Sequence, residues 1–366
     1  MEQSKNVPIH ILTQFEIAGT LHSVEELKRG HINRTFIGNW DVNGTRRRHI
    51  HQSVNHRVFT DIEALMGNLE IVTDALQKDL LGREPIPGET TLTLIRTKHG
   101  ASYIQDETGE FWRSFEYIER TVSYDVCPSP EVAHEAAAIL GRFQRALSPV
   151  PATSLRDTIP YFHHGLRRYD AFERAVQADK EKRVQDALGE IDFAQSRRDL
   201  GGALISALEK GTIPTRISHN DMKLNNVLFD AAGKRAICLL DLDTCMAGTP
   251  LFDFGDLVRN TAVPCAEDEQ DFSKVVVDMK LYSAICDGYL SEVGGMLSTE
   301  ERSLLSVAPR VLALILGVRF LTDYLEGDHY FRIHRPRQNL ERARTQFEIV
   351  RAMERLDGEM ARRIAR

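Results

Sequence analysis

The sequence predicts an α+β protein of two lobes: a small N-terminal β-sheet lobe with one helix over residues 1–120, and a larger, mainly helical C-terminal lobe over residues 121–366. Three observations carry this. Short runs of alternating apolar and polar residues fill the first third of the chain, and apolar residues recur at helical spacing from about residue 130 onward. A length of 366 residues also exceeds what a single hydrophobic core commonly organises.

Each element has its own local reason. INRTFIGNW (32–40) alternates, DVNGTRRR supplies an Asn-Gly hairpin turn, and a second strand is expected over 47–54. Ile62, Leu65, Met66, Leu69, Val72, Leu76 and Leu80 then fall at helical spacing. TTLTLIRT and ASYIQDETGEFWRSFEYIE read as two or three strands with a turn at Glu107–Gly109. The segment 117–130 marks the lobe boundary. There Ser129 is a helix cap, Pro130 suits the first helical position and Glu131 the first turn. Val132, Ala136, Ile139, Leu140, Phe143 and Leu147 line one face of the helix that follows. Around 215–245 the helical character lapses: TRISH and VLFD flank a loop, and RAICLLDLD is a short, nearly all-apolar strand. STEE (298–301) is a capping box and opens what reads as the last long helix, running to about Glu326 with a kink at Pro309.

Composition narrows the function classes. The net charge of −7 offers nothing to a nucleic-acid backbone. The longest aliphatic run, VLALILGV, has eight residues where a membrane span needs about twenty. Five cysteines, odd in number and without a C-x-x-C, read as reduced thiols, and no signal sequence opens the chain, so the expected setting is the cytoplasm.

The chemistry concentrates in SHNDMKLNNVLFD (218–230), where His219, Asp221, Lys223 and Asn226 stand at the spacing H-x-D-x-K-x-x-N. Phosphoryl transfer needs a carboxylate to orient the attacking hydroxyl, metal ions to neutralise phosphate charge, and rigid positioning. Asp221 fits the first role. Asn226, five residues on, and Asp241, at the end of an apolar strand, fit the second, a sparse oxygen set that suits Mg²⁺. The triplet Asp253–Phe254–Gly255 copies the metal-binding DFG of protein kinases, but it lies 32 residues past Asp221 and follows a proline turn; Asp241, 20 residues past, is the better ligand. Asp253 is expected to hold loop amides or a basic side chain. The bland alternative is that Asp and Asn in these segments only form turns.

Together these residues resemble the aminoglycoside phosphotransferase and choline kinase superfamily, which implies a two-lobed, protein-kinase-like fold. Within it, GHINRTF (30–36), YIERTVSYD (117–125), HNDMKLNNVL (219–228), LLDLDTCMAGTPLFDFGD (239–256) and RFLTDYLEGDHYF (319–331) are similar to the bacterial N-acetylhexosamine 1-kinases. The resemblance implies ATP- and Mg²⁺-dependent phosphorylation of the anomeric hydroxyl of GlcNAc or GalNAc, with Asp221 as base and Asn226 and Asp241 on the metal. It also implies Asn33 near ATP, Glu116, Tyr117 and Ile118 offering backbone groups to adenine, and His31, Arg319 and Tyr330 in the sugar pocket. Residue by residue, Arg319 could instead pair with Asp323, and Tyr330 could simply pack.

Two departures stand out. Kinases of this superfamily usually carry a lysine on the third strand to pair with ATP phosphates; here RRHIHQSVN has none, and Gln52 or a neighbour takes the place. Lys28, Arg29 and Lys223 remain as candidate phosphate cations. Asn260 stands where the sugar kinases are expected to have an aromatic residue, so it would meet substrate through hydrogen bonds. The competing readings are another small-molecule kinase of this fold, acting on a different sugar, an aminoglycoside or an amino alcohol, and a nucleotide-binding regulator without catalysis.

Overall fold

The computed structural model describes residues 8–27 and 32–365. The N-terminal lobe is an antiparallel sheet of β1 (Thr20–Leu27), β2 (Arg34–Val42), β3 (Thr45–Val54), β4 (Leu94–Ile95), β5 (Ile104–Gln105) and β6 (Phe111–Glu116), in the order β1-β2-β3-β6, with β4 and β5 both against the outer edge of β6. The expected β2–β3 hairpin turns on Asn43 and Gly44, both at positive φ, as a two-residue primed turn requires. β1 had no sequence forecast: TLHSVEEL is largely exposed along its length, so little burial imprints a period on it. Helix α1 (Ile9–Leu12) and the following Phe15 cover one sheet face, burying Phe36 and Trp112. On the other face Val54 and Phe115 join α2 (Ile62–Gly82), capped by Asp61 Oδ1 accepting from the Ala64 amide at 2.8 Å. That second face is continuous with the core of the C-terminal lobe.

The C-terminal lobe opens with α3 (Pro130–Leu147), capped as expected by Ser129, and continues through α4 (Gly165–Ala178), α5 (Leu188–Gln195) and α6 (Arg198–Glu209). Four short strands follow: β7 (Arg216–Ser218), β8 (Val227–Phe229), β9 (Ala236–Leu239) and β10 (Met246–Gly248). They pair as β7–β10 and β8–β9, so the loops at 219–226 and 240–245 emerge side by side. The rest is α7 (Pro250–Thr261), α8 (Met279–Val293), α9 (Thr299–Leu304), α10 (Ala308–Glu326), α11 (Gln338–Arg355) and α12 (Asp357–Ala365). No described helix is long and apolar enough to cross a membrane, and all five cysteines are free thiols.

Two expectations are corrected. The helix forecast from Ser298 to Glu326 is two helices; the capping box forms at Ser298 and Glu301, but the chain breaks between Leu304 and Ala308. Pro309 lies in the first turn of α10, where its missing N–H leaves no helical bond unmade, so it starts a helix instead of kinking one. Nor is α10 the last long helix. α11 buries Leu340, Ala343, Phe347 and Val350 on one face, and its many arginines and glutamates had masked that spacing.

The DFG triplet lies inside α7, with Pro250 in its first turn. Its glycine is a packing residue: a Cβ on Gly255 would stand 2.7 Å from the Ala308 carbonyl oxygen of α10.

Candidate active site between the lobes

Asp221 stands on a loop whose backbone is held from several sides. Asn220, just before it, takes a left-handed conformation (φ 66), which a non-glycine residue keeps only when its surroundings compel it. The compulsion is visible. Asp253 accepts hydrogen bonds from the amides of His219 (2.9 Å) and Asn220 (2.7 Å), the amide-holding role expected of it. The Asn220 side chain donates to the carbonyls of Thr244 and Ser218, and the Asn220 carbonyl accepts from His163 Nε2 at 2.7 Å. His219 Nε2 donates to the Leu240 carbonyl at 2.8 Å, which leaves Nδ1 to accept from the Asp221 amide.

The carboxylate itself meets Lys223 Nζ at 2.6 Å, while Asn226 Nδ2 donates to the Asp221 carbonyl at 2.8 Å. Burial opposes the Asp221 charge, but Lys223, His219 and His163 outweigh it and hold the group below the ordinary carboxylate range. The same pairing, with help from Asp256, keeps Lys223 protonated against its own burial.

Asp241 sits two residues beyond β9, also at positive φ (58). Among the described residues no cation pairs with it. Its residue is solvent-exposed yet its carboxyl has protein packed around it, and this enclosure, with the negative charges of Asp243 and Asp221, pushes its pKa up to about 7. A carboxylate so placed favours a cation. Among the described residues no group of three or more His, Cys, Asp or Glu side chains gathers closely enough to hold a metal unaided. A Mg²⁺ ion takes only one or two protein oxygens beside phosphate oxygens and water, so the side-chain oxygens of Asn226 and Asp241 are the groups that would hold one.

Asp243 differs from Asp241, though one residue separates them. It is buried and bound by Arg113 through two parallel contacts of 2.7 and 2.8 Å, and it accepts a further hydrogen bond from Asn33 Nδ2 at 2.7 Å. Asn33 also accepts from the Asn55 amide, so it joins the start of β2 to the end of β3 and to the 240–245 loop. Arg113 is held in turn by Gln52, which accepts from both Nε and a terminal nitrogen.

On the other side of Asp221 lies a cluster of arginine and aromatic side chains. Arg319 of α10 approaches the Tyr330 hydroxyl at 3.3 Å, and its guanidinium lies over the rings of Phe162, Tyr330 and Phe331. The alternative pairing with Asp323 is not made, because Asp323 is occupied by the amides of His329, Tyr330 and Phe331 and by the Asn339 side chain. Asp323 thereby shapes the turn that carries Tyr330 back to Arg319. Arg168 and His163 join them. Burial, and secondarily Arg319, bring Arg168 down to about 10; burial drives His163 to about 4 against the pull of Asp256 and Asp221. Neither Arg168 nor Arg319 has a carboxylate partner among the described residues, whereas Asp256 is taken by Arg259 at 2.7 Å.

The remaining sequence candidates are placed as follows. Asn260 Oδ1 accepts from the Leu224 amide at 3.1 Å, bracing the Asp221 loop. Glu116 ends β6 with an exposed side chain, the Tyr117 ring lies under Arg48 at 4.0 Å, and the Ile118 carbonyl accepts from Thr121. His31, Lys28 and Arg29 lie outside the described residues. Arg113, Asp243, His163 and Arg168 were not singled out from sequence. Arg113 had a usable signal: it alternates between Phe111 and Phe115 on a strand face that must be buried, so it needed a buried anion.

The family model of the phosphotransferase enzyme family matches residues 95–274, which hold both loops of the cleft. That segment is similar to the phosphotransferase enzyme family, and the chain shares its fold with solved aminoglycoside phosphotransferases and choline kinases. Its fold is that of an aminoglycoside phosphotransferase from Alicyclobacillus acidocaldarius, at TM-score 0.66 and 13% identity over 99% of this chain and 98% of that one. A spectinomycin phosphotransferase solved with ADP and spectinomycin matches at TM-score 0.57 and 14% identity, over 95% and 98%. The choline kinase LicA from Streptococcus pneumoniae matches at 0.51 and 14%, over 92% and 94%.

Proposed function

We propose that this protein is an ATP- and Mg²⁺-dependent kinase that phosphorylates the anomeric hydroxyl of an N-acetylhexosamine, GlcNAc or GalNAc, to give the sugar 1-phosphate. The observation that carries the acceptor class is the pair Arg168 and Arg319, which have no carboxylate partner among the described residues and stand with Phe162, Tyr330 and Phe331 beside Asp221. Two unneutralised cations repel an aminoglycoside or a quaternary amine, which acidic or aromatic-caged sites suit. They suit an uncharged acceptor rich in oxygen lone pairs, such as ring hydroxyls and an acetamide carbonyl. The sequence likeness to the N-acetylhexosamine 1-kinases points the same way.

In this reading Asp221 accepts the hydroxyl proton while the anomeric oxygen attacks the γ-phosphorus and the bond to ADP breaks. Lys223 keeps Asp221 ionised and ready. Asn226 and Asp241 would hold the Mg²⁺, which neutralises charge on the phosphates. Asn33 stands on the nucleotide side, and Glu116 to Ile118 on the segment that would flank adenine. The separation of lobes at residue 120 is part of the proposal: residues 1–120 hold the nucleotide side, and residues 121–366 hold the chemistry and the acceptor.

The test is a panel of GlcNAc, GalNAc, glucose, galactose, choline and two aminoglycosides with ATP and Mg²⁺. The phosphate position is read by ³¹P–¹H coupling. A non-reducing hexosamine phosphate is expected. A reducing sugar phosphate rejects the 1-kinase assignment, and turnover confined to choline or an aminoglycoside replaces the acceptor class.

A further inference from the structure

We propose that Arg113 is a positioning residue for the metal loop: its two-pronged pairing with Asp243, locked by Gln52 and shared with Asn33, sets the turn that carries Asp241 and couples that turn to the nucleotide-side sheet. This rests on the kinase reading above and extends it to a residue that takes no part in the chemistry.

On the third strand, where Gln52 or a neighbour takes the place of the lysine usual in the kinases this chain resembles, the direct partner of Gln52 across the β3–β6 ladder is Arg113. The cation here stands on β6, and its target is the Asp243 carboxylate. All the Arg113 nitrogens are engaged: Nε and one terminal nitrogen with Gln52, both terminal nitrogens with Asp243. Both side chains of the ion pair are nearly sealed from solvent, at 3% and 2% exposure, so neither charge has water as an alternative partner. The planar fork fixes the plane of the Asp243 carboxylate as a lysine could not. Asn33 then adds a third contact from the start of β2, and Thr158 Oγ1 holds the Asp243 carbonyl from the C-terminal lobe. Asp241, two residues before, stands at positive φ with no cation of its own among the described residues. Asp243 is thus held from both lobes, its carboxylate by the N-terminal sheet and its carbonyl by Thr158, while the Asp241 carboxylate is left without a protein cation among the described residues. Outer groups of this kind are commonly worth 10–100-fold in metal affinity.

Calorimetric titration of the full chain with ADP at stepped Mg²⁺ concentrations tests this without any acceptor. Arg113→Gln should weaken Mg²⁺-dependent ADP binding about 10–100-fold. Arg113→Lys, which keeps a charge opposite Asp243 but loses the fork, should fall between it and wild type. Gln52→Lys in the Arg113→Gln background returns a cation to the strand beside the vacated position and should recover part of the loss. If Arg113→Gln does not fold, as circular dichroism would show, Arg113→Lys decides. Folded variants that bind Mg²⁺ and ADP within twofold of wild type overturn the proposal while the kinase reading stands. Wild-type protein without Mg²⁺-dependent ADP binding overturns both.

Discussion

The two ends of the cleft treat positive charge differently. At the end around Asp243, Arg113 is matched to that carboxylate, and Lys223 to Asp221 between the ends; at the end around Tyr330, Arg168 and Arg319 have no carboxylate among the described residues, Arg319 lying over aromatic rings and Arg168 donating to the Phe162 carbonyl. The difference separates cations that build the site from cations left for a ligand. A buried pair such as Arg113–Asp243 is fully answered by protein, so removing one partner strands the other. A cation stacked on rings is only partly answered, and its remaining hydrogen-bonding capacity is open to a bound oxygen-rich molecule.

Three substitutions, one of them read in two ways, break or sharpen this comparison. The largest effect is expected between the two ends. Asp221→Asn should lower turnover about 10²–10⁴-fold with Mg²⁺·ADP affinity nearly unchanged, since it removes the proton acceptor and leaves the metal loop intact. Steady-state rates beside calorimetric ADP binding decide it, and turnover within tenfold of wild type would remove Asp221 from the chemistry.

At the acceptor end, Arg319→Gln should raise the KM for the sugar about tenfold to a hundredfold, the loss of one charge-assisted hydrogen bond, while the KM for ATP stays put. A rise in the ATP KM instead would move Arg319 to the nucleotide side. Below the floor of the site, Asp253→Asn should cost about 1–3 kcal/mol of unfolding free energy, because an amide cannot accept from both the His219 and Asn220 amides. Denaturant melts at neutral pH report that loss, and an unchanged midpoint would show that the loop holds its shape by other means.

The smallest effect is electrostatic. His163 is held neutral to about pH 4 by burial, with Arg319 adding to the depression. A histidine whose folded pKa lies below its unfolded value supports stability above the unfolded pKa, and that support drains as pH falls toward 4. Arg319→Gln removes one opposing charge, so the His163 titration seen by NMR should move upward. A downward move would mean that Arg319 does not act on the ring.

Legibility followed the range of the interactions. Helix α3 could be read because its cap, its proline and its apolar face are all written within nineteen consecutive residues, 129–147. The β2–β3 hairpin could be read because two adjacent residues supply the turn. The Asp221 loop could be read because Asp221, Lys223 and Asn226 touch one another within six positions. The break before α10 was missed because Pro309 suits a helix start as well as a kink, and sequence alone does not choose.

Local chemistry in the chain thus determined the strand-then-helix order, the capped helices and the identity of the carboxylates around which phosphoryl transfer could be arranged. Tertiary structure alone decided which charges meet. Arg113 and Asp243 are 130 positions apart, Asn33 and Asp243 are 210, and His163 reaches the loop from 57 positions away. No local pattern encodes such pairings, because they are fixed by where the sheet and the helices come to rest against a shared core, and only there does a buried charge find the partner that makes its burial tolerable.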